Sequence, residues 1–363
     1  MIEVRGGPSR ENNLFVQKGG QPVPSKSAVM RQAVDPRLIT DLATAYWASM
    51  VLLTANRFNI FGFLSEEPLS AVELSARTTT EPRSLEMLLN ACVGHGLLEC
   101  SDGRYRNSTA SDAFLVRGKP SFLGDALKYS EDMYPLWGRL GEAVASNAPP
   151  VPPETILGGD AEKTENFVRA MHNRALGIAR ALTFALDLSG RRKLLDVGGG
   201  PGTYSALLVQ KTPGLEAVVL DLGPVVAIAK EIVAEFGVSD RIRFISGDYK
   251  ETPFGEEYDA VLVSGVLHRE TGETCRSLLD KIFACLTSGG VLYVADVFFE
   301  DERKVSPPFA TLFALNMLLT SESGGAHAIP EMTAWMEQSG FDRVEVRPLP
   351  PPMPHSIVLG RKP

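Results

Sequence analysis

The segment Leu194-Leu195-Asp196-Val197-Gly198-Gly199-Gly200-Pro201-Gly202 joins an apolar strand pattern to a helical one. Glycines at such a junction allow a tight turn and let a ligand approach the backbone closely. The spacing is Gly198-x-Gly200-x-Gly202. A dinucleotide fingerprint needs its third glycine at position 203, which is Thr203, so the match to an NAD loop is imperfect. Asp196 lies on the strand just before the glycines. A pyrophosphate would be repelled there, whereas a cationic amino acid or a sulfonium would tolerate the acid. Val218-Val219-Leu220-Asp221 ends the next strand pattern with a carboxylate suited to bidentate hydrogen bonding with ribose hydroxyls. Ser246-Gly247-Asp248-Tyr249 ends the one after that. Asp248 can accept from an adenine amine and Tyr249 can stack beside the ring. Each acid alone could be a solvated turn residue. Together with the glycine loop, at three successive strand ends, they form a joint pattern for a nucleoside.

The elements that must position these residues are legible from periodicity. From Lys193 onward, apolar β-rich runs alternate with helical patterns, which predicts a parallel sheet covered on both faces. Its strands are Lys193–Val197, Glu216–Leu220, Ile242–Ser246, Ala260–Ser264, Gly290–Val297, Arg343–Arg347 and Ser356–Gly360. The last two are joined by the short segment Pro348 to Pro354. That length excludes a parallel crossover, so the final pair should be antiparallel. Before the sheet, residues 121–185 read as mainly helical, with a long helix from about Glu162 to Leu186. Ser70 with Glu73 forms a capping box for a helix Ala71–Arg77. Thr80 can cap a second helix running to about His95, with Pro82 in its first turn. Leu97 to Arg106, with Ser101-Asp102-Gly103 at its tip, reads as a hairpin. Helix, turn, helix, hairpin is a winged-helix outline. Residues 1–30, rich in Gly and Pro, read as a flexible arm.

Composition narrows the function. The 363 residues carry a formal charge of −8, against a general nucleic-acid binder. The second helix of the winged module offers one Arg, Arg83, beside Glu86, too little for a recognition helix. The apolar runs Tyr46–Ala55 and Phe309–Leu319 are short for a membrane span and read as buried helices. No secretory signal pattern opens the chain. Cys92, Cys100, Cys275 and Cys285 show no metal or disulfide spacing and fit a cytoplasmic protein with reduced thiols.

On these residues the chain resembles the class I S-adenosylmethionine-dependent methyltransferases, and within them the small-molecule O-methyltransferases of the plant caffeate and bacterial polyketide type. The resemblance runs from residue 36 to the end. It implies a Rossmann-like catalytic domain (186–363), a winged-helix-like dimerisation domain (31–120) and a helical linker lining the substrate pocket (121–185). It also implies a homodimer, S-adenosyl-L-methionine as cofactor with S-adenosyl-L-homocysteine as product, and a small-molecule acceptor. Neither nucleic acid nor membrane is expected as a partner. By position, Asp196, Gly198, Gly200 and Gly202 resemble the loop for the methionine part, Asp221 the ribose ligand, and Asp248 with Tyr249 the adenine contacts. Ser264 falls where a further cofactor contact is common. Val263-Ser264-Gly265-Val266-Leu267-His268 matches the family's Leu-His-Asp-Trp-like segment, so His268 resembles the general base, and Asp296 in Tyr293-Val294-Ala295-Asp296 its acidic orienter. Methyl transfer from a sulfonium then needs proximity and a base, with no metal. Met133, Trp137, Met171, His172, Phe313, Met317 and His327 border the acceptor in the resemblance. Large apolar residues among them suit a flat aromatic or polyketide-like molecule.

Two departures stand out. His268 is followed by Arg269-Glu270 instead of Asp-Trp, and Gly324-Gly325-Ala326-His327-Ala328-Ile329 replaces a Gly-Gly-x-Glu-Arg-Thr-like segment. The family's second acid is therefore absent. This keeps open N- or C-methylation, or a relative that retains the cofactor without methyl transfer. An assisting role for His327 beside His268 is another reading. A winged-helix regulator sensing a nucleoside is the reading from a different class.

Overall fold

A computed structural model describes residues 35–155, 158–350 and 353–363. The arm expected over residues 1–30 lies outside them. The chain divides into two units, up to Tyr46 and from Trp47 to Pro363. The described residues of the first unit, from Asp35, include the opening part of helix α1 (Arg37–Arg57). Leu38, Ile39, Leu42 and Tyr46 on it are exposed. The run Tyr46–Ala55 is thus not a separate buried helix. Only Leu53 and Ala55 of α1 are buried, and its 21 residues are long and apolar enough to cross a membrane by length and composition.

In the second unit, α2 (Ile60–Phe63), β1 (Leu69–Ser70), α3 (Ala71–Thr78), α4 (Pro82–Gly94), β2 (Leu98–Ser101), β3 (Arg104–Asn107) and α5 (Thr109–Leu115) form the winged outline. The capping box is present: Glu73 N–H donates to Ser70 Oγ at 3.3 Å, and Ser70 N–H to Glu73 Oε2 at 2.7 Å. Thr80 does not cap α4. The cap is Glu81, because Pro82 takes the first helical position and Thr80 is held by Thr78 at 2.8 Å. Asp102 and Gly103 both have positive φ, as a two-residue hairpin turn requires. Three helices follow: α6 (Gly124–Trp137), α7 (Leu140–Ser146) and α8 (Ala161–Ala185).

The remainder alternates strand and helix: β4 (Lys193–Val197), α9 (Thr203–Lys211), β5 (Glu216–Asp221), α10 (Gly223–Glu235), β6 (Ile242–Ser246), β7 (Tyr258–Ser264), α11 (Gly272–Cys285), β8 (Leu286–Asp296), α12 (Pro308–Thr320), α13 (Ile329–Gln338), β9 (Asp342–Pro348) and β10 (Ser356–Arg361). The strand order is β6-β5-β4-β7-β8-β10-β9. β10 is antiparallel to both β8 and β9, and the other pairs are parallel. Side chains alternate between the two faces. Leu195, Val197, Val261, Val263 and Val294 pack against α11 and α13. Leu194, Ala217, Val219, Leu262 and Ile357 pack under α8 and α9. Each fully buried Leu or Val contributes ~1.5–3 kcal/mol of hydrophobic stabilisation, so both layers hold the strand tips in place. α12 is only partly buried: Phe309 and Leu312 are exposed, while Ala310, Met317 and Leu319 are covered.

Candidate functional site

The glycine loop leaves β4 under tight constraint. Gly198, Gly200 and Gly202 all have positive φ. A Cβ on Gly199 would stand 2.8 Å from the Asp196 carboxyl carbon and 2.9 Å from Val219, so the loop lies directly on the buried acid. Gly198 N–H donates to Leu220 O at 2.8 Å, stitching the loop to β5. Above Gly200 a Cβ would meet nothing within 4 Å, so this side of the loop is open.

Asp196 is fully buried. The Ser205 hydroxyl donates to its Oδ2 at 2.6 Å, and Oδ1 has no partner among the described residues. Burial pushes this carboxyl up to about 7, aided by the negative charge of Asp221 and opposed by Ser205. Asp221, at the tip of β5, accepts Gly200 N–H at 2.7 Å and Leu222 N–H at 2.7 Å, one on each oxygen. Each oxygen keeps a second lone pair for a diol. Burial raises its pKa; the two N–H groups and Arg269 pull the other way.

Asp248 Oδ1 accepts Lys250 N–H at 2.8 Å, and its carbonyl accepts Thr252 N–H at 2.8 Å, so it organises the turn after β6. Tyr249 donates its hydroxyl to Glu270 Oε1 at 2.5 Å, tying this turn to the one after β7. Lys281 of α11 buckles the same turn from below, donating to the carbonyls of Tyr249 at 2.8 Å and Thr252 at 2.7 Å. Ser264, at the tip of β7, is hydrogen bonded to the half-buried Tyr204 of α9.

His268 occupies a single helical turn after β7. Its Nδ1 lies 2.7 Å from Asp296 Oδ1, and its backbone N–H donates to Asp296 Oδ2 at 3.4 Å. Val297 N–H donates to the same Oδ1 at 2.8 Å. Asp296 is 3% exposed and His268 12%. Burial alone would raise the Asp296 pKa. The His268 ring and the Val297 N–H overcome it and hold the carboxyl below its usual range. An ionised carboxylate only accepts, so Nδ1 carries the proton and Nε2 keeps the basic lone pair. Phe313 meets the imidazole edge to face at 4.8 Å, which fixes the ring against α12.

Met133 packs with Tyr129, Trp137 and Met171 between α6 and α8. Trp137 Nε1 donates to Asn316 Oδ1 at 3.1 Å, joining α6 to α12, and Met317 is buried on α12. Two further histidines hold partners within the chain. His172 Nδ1 is 2.8 Å from Thr203 Oγ1, and its ring meets Phe236 edge on, so it belongs to the seam of α8 with α9 and α10. His327 donates from Nε2 to the carbonyls of Leu267 at 2.9 Å and Glu270 at 3.2 Å. That nitrogen props the His268 turn from behind and does not serve the His268 ring. Sequence patterning does not single out Glu270 or His355; the latter is half-buried, its Nδ1 atom buried and unpartnered among the described residues.

Residues 148–342 match the family model of the O-methyltransferase domain, and residues 40–117 that of the O-methyltransferase dimerisation domain. The chain belongs to the O-methyltransferase family. A 3-hydroxy-5-methyl-1-naphthoate 3-O-methyltransferase of Streptomyces sahachiroi is 34% identical over 90% of this chain and 95% of its own length. The 8-O-methyltransferase TcmO of tetracenomycin polyketide synthesis in Streptomyces glaucescens is 32% identical over 90% and 97%. The human N-acetylserotonin methyltransferase, crystallised with S-adenosylmethionine, superposes with a TM-score of 0.82 at 27% identity, over 92% of this chain and 99% of that one. The protein is an S-adenosylmethionine-dependent O-methyltransferase. Its glycine loop suits that cofactor on chemical grounds: an open face above Gly200, an orphaned buried acid beneath, and lone pairs left on Asp221.

Proposed function

We propose that this O-methyltransferase methylates a hydroxyl on an apolar, aromatic small molecule, with His268 as general base and Asp296 holding it in the productive tautomer. The observation that carries this reading is the His268 Nδ1 to Asp296 Oδ1 contact of 2.7 Å, which leaves Nε2 as the only basic ring nitrogen. The apolar class is supported by Phe313, which meets the His268 ring, and by the Met133, Trp137, Met171 and Met317 side chains of α6, α8 and α12. It is supported also by the naphthoate named for the Streptomyces sahachiroi relative.

Bound S-adenosylmethionine supplies a methyl group already activated by its sulfonium. Asp221 would hold the ribose, Asp248 and Tyr249 the adenine side, with Ser264 adding a contact. The loop of Gly198, Gly200 and Gly202 over Asp196 would hold the methionine part. The remaining work falls to His268. A phenol has a pKa of ~10 and a free imidazole ~6.5, so full proton transfer in the ground state is uphill. A base fixed by Asp296 and Phe313 can take the proton as the oxygen reacts. Asp296 then stabilises the imidazolium that forms.

We assign residues 31–120 to dimerisation, 121–185 to a linker bordering the acceptor and 186–363 to catalysis. We place the homodimer in the cytoplasm, a reading supported by Cys92, Cys100, Cys275 and Cys285 all being free thiols. The test uses 3-hydroxy-5-methyl-1-naphthoate as acceptor. His268→Ala and Asp296→Asn should each lower kcat by ~10²–10⁴-fold while S-adenosylhomocysteine affinity stays unchanged by calorimetry. Full turnover in His268→Ala would remove the base assignment.

A further inference from the structure

The link between the last two strands brings another imidazole to the site end of the sheet. Ser356, the first residue of β10, pairs directly with Asp296 on β8. His355 therefore stands one residue from the position opposite the carboxylate that orients His268. Its backbone is fixed: Leu349 N–H donates to His355 O at 3.0 Å. Its side chain is uncommitted, since Nδ1 is buried with no hydrogen-bond partner among the described residues. A buried ring nitrogen left unpaired costs stability, so such a position calls for a use.

His355 immediately precedes β10, at the sheet end where Asp296 lies. The charges it senses there are Asp296, His268 and Arg174 of α8. Burial pushes its pKa down; Asp296 opposes this, and His268 and Arg174 reinforce it. The ring is thus neutral near pH 7 and can donate or accept at Nδ1 according to its tautomer.

We propose that His355 is a specificity-determining residue of the acceptor site, and that its Nδ1 hydrogen-bonds a second oxygen substituent of the acceptor, apart from the hydroxyl facing His268. This rests on the reading of His268 and Asp296 as the reacting end. The partner is the acceptor and not the cofactor because of strand order. The glycine loop, Asp221 and Asp248 sit at the tips of β4, β5 and β6, on one side of β7, while His355 sits on the other side, beyond β8. One to two strand spacings, ~5–10 Å, separate the two imidazole positions along the sheet edge. A fused two-ring aromatic with oxygens at both ends spans that range.

The test is calorimetry on the full chain loaded with S-adenosylhomocysteine, titrated with 2-naphthol and with 2,6-dihydroxynaphthalene. The diol should bind at least tenfold more tightly than the mono-ol. His355→Ala should erase that preference and leave S-adenosylhomocysteine affinity unchanged. His355→Asn, whose amide occupies the place of Nδ1, should restore it, and His355→Gln should not. Equal affinity of the unmodified protein for the two probes, absence of binding included, overturns the proposal. So does a preference that survives in His355→Ala, or lost S-adenosylhomocysteine binding there. Should the Ala variant fail to fold, equal preference in the Asn and Gln variants overturns it. Turnover of His268→Ala judges the base reading separately, because these titrations involve no methyl transfer.

Discussion

Single side chains here do opposite things in closely similar settings. Asp196 and Asp296 are both buried aspartates near strand ends, yet their pKa values move apart. Asp296 faces an imidazole and an N–H, and is held ionised. Asp196 faces one hydroxyl and no cation, and burial lifts it to about 7. The sign of the stability effect follows. An unfolded Asp titrates at ~3.9, so between roughly pH 4 and pH 7 the folded protein holds one proton more at Asp196 than the unfolded chain. Stability from this group is full below pH 4 and is lost as pH rises toward 7, by about 3–4 kcal/mol. Asp196→Asn keeps an oxygen for Ser205 and removes the charge. It should therefore raise Tm relative to the unmodified protein at pH 8, with little difference at pH 4.5. Thermal melts at the two pH values check this, and an equal shift at both would mean the carboxyl is not the cause.

At the scale of elements, the sequence marked what is local. The glycine bend, the capping box at Ser70 and Glu73, the Asp102-Gly103 turn and the β–α alternation each depend on residues within a few positions of one another. All appear where periodicity places them. What it could not mark depends on which elements meet. Nothing near His172 signals that Thr203 would hold its ring, nor does the run 324–329 show that His327 would brace the turn carrying His268. His355 carries no local signal because the register pairing Ser356 with Asp296 is a long-range fact. Within the glycine loop, position 202 makes two demands at once. Its φ of +71° lies in the left-handed region, and a Cβ would stand 2.9 Å from Val233. Gly202→Ala should cost about 2–3 kcal/mol, combining left-handed strain with overpacking. Gly177, mid-helix in α8 with nothing within 4 Å of where a methyl group would stand, is the control. Gly177→Ala should stabilise by ~0.5–1 kcal/mol. Urea unfolding of both variants measures the contrast, and similar ΔG values would show that the bend tolerates a side chain.

For the whole molecule, the feature that one chain leaves unexplained is α1. Leu38, Ile39 and Leu42 are each about two-thirds exposed. An exposed apolar surface of this kind marks a contact with another molecule. Two occupants are physically open: a second copy of the chain, or a lipid surface, since α1 is long and apolar enough to span a bilayer. The match of residues 40–117 to a dimerisation domain favours the second copy. A charge placed on such a seam has to be desolvated without a partner, a penalty that would shift a dimer toward monomers. Leu42→Asp should therefore sediment as a monomer at micromolar concentration, where the unmodified protein sediments as a dimer without lipid or detergent. Because Leu42 is 67% exposed in the single chain, the substitution leaves the folded chain itself undisturbed, with far-UV circular dichroism unchanged. Persistence of the dimer would move the seam off α1. A protein that is monomeric before the substitution and pellets with phospholipid vesicles would give this helix to the membrane instead.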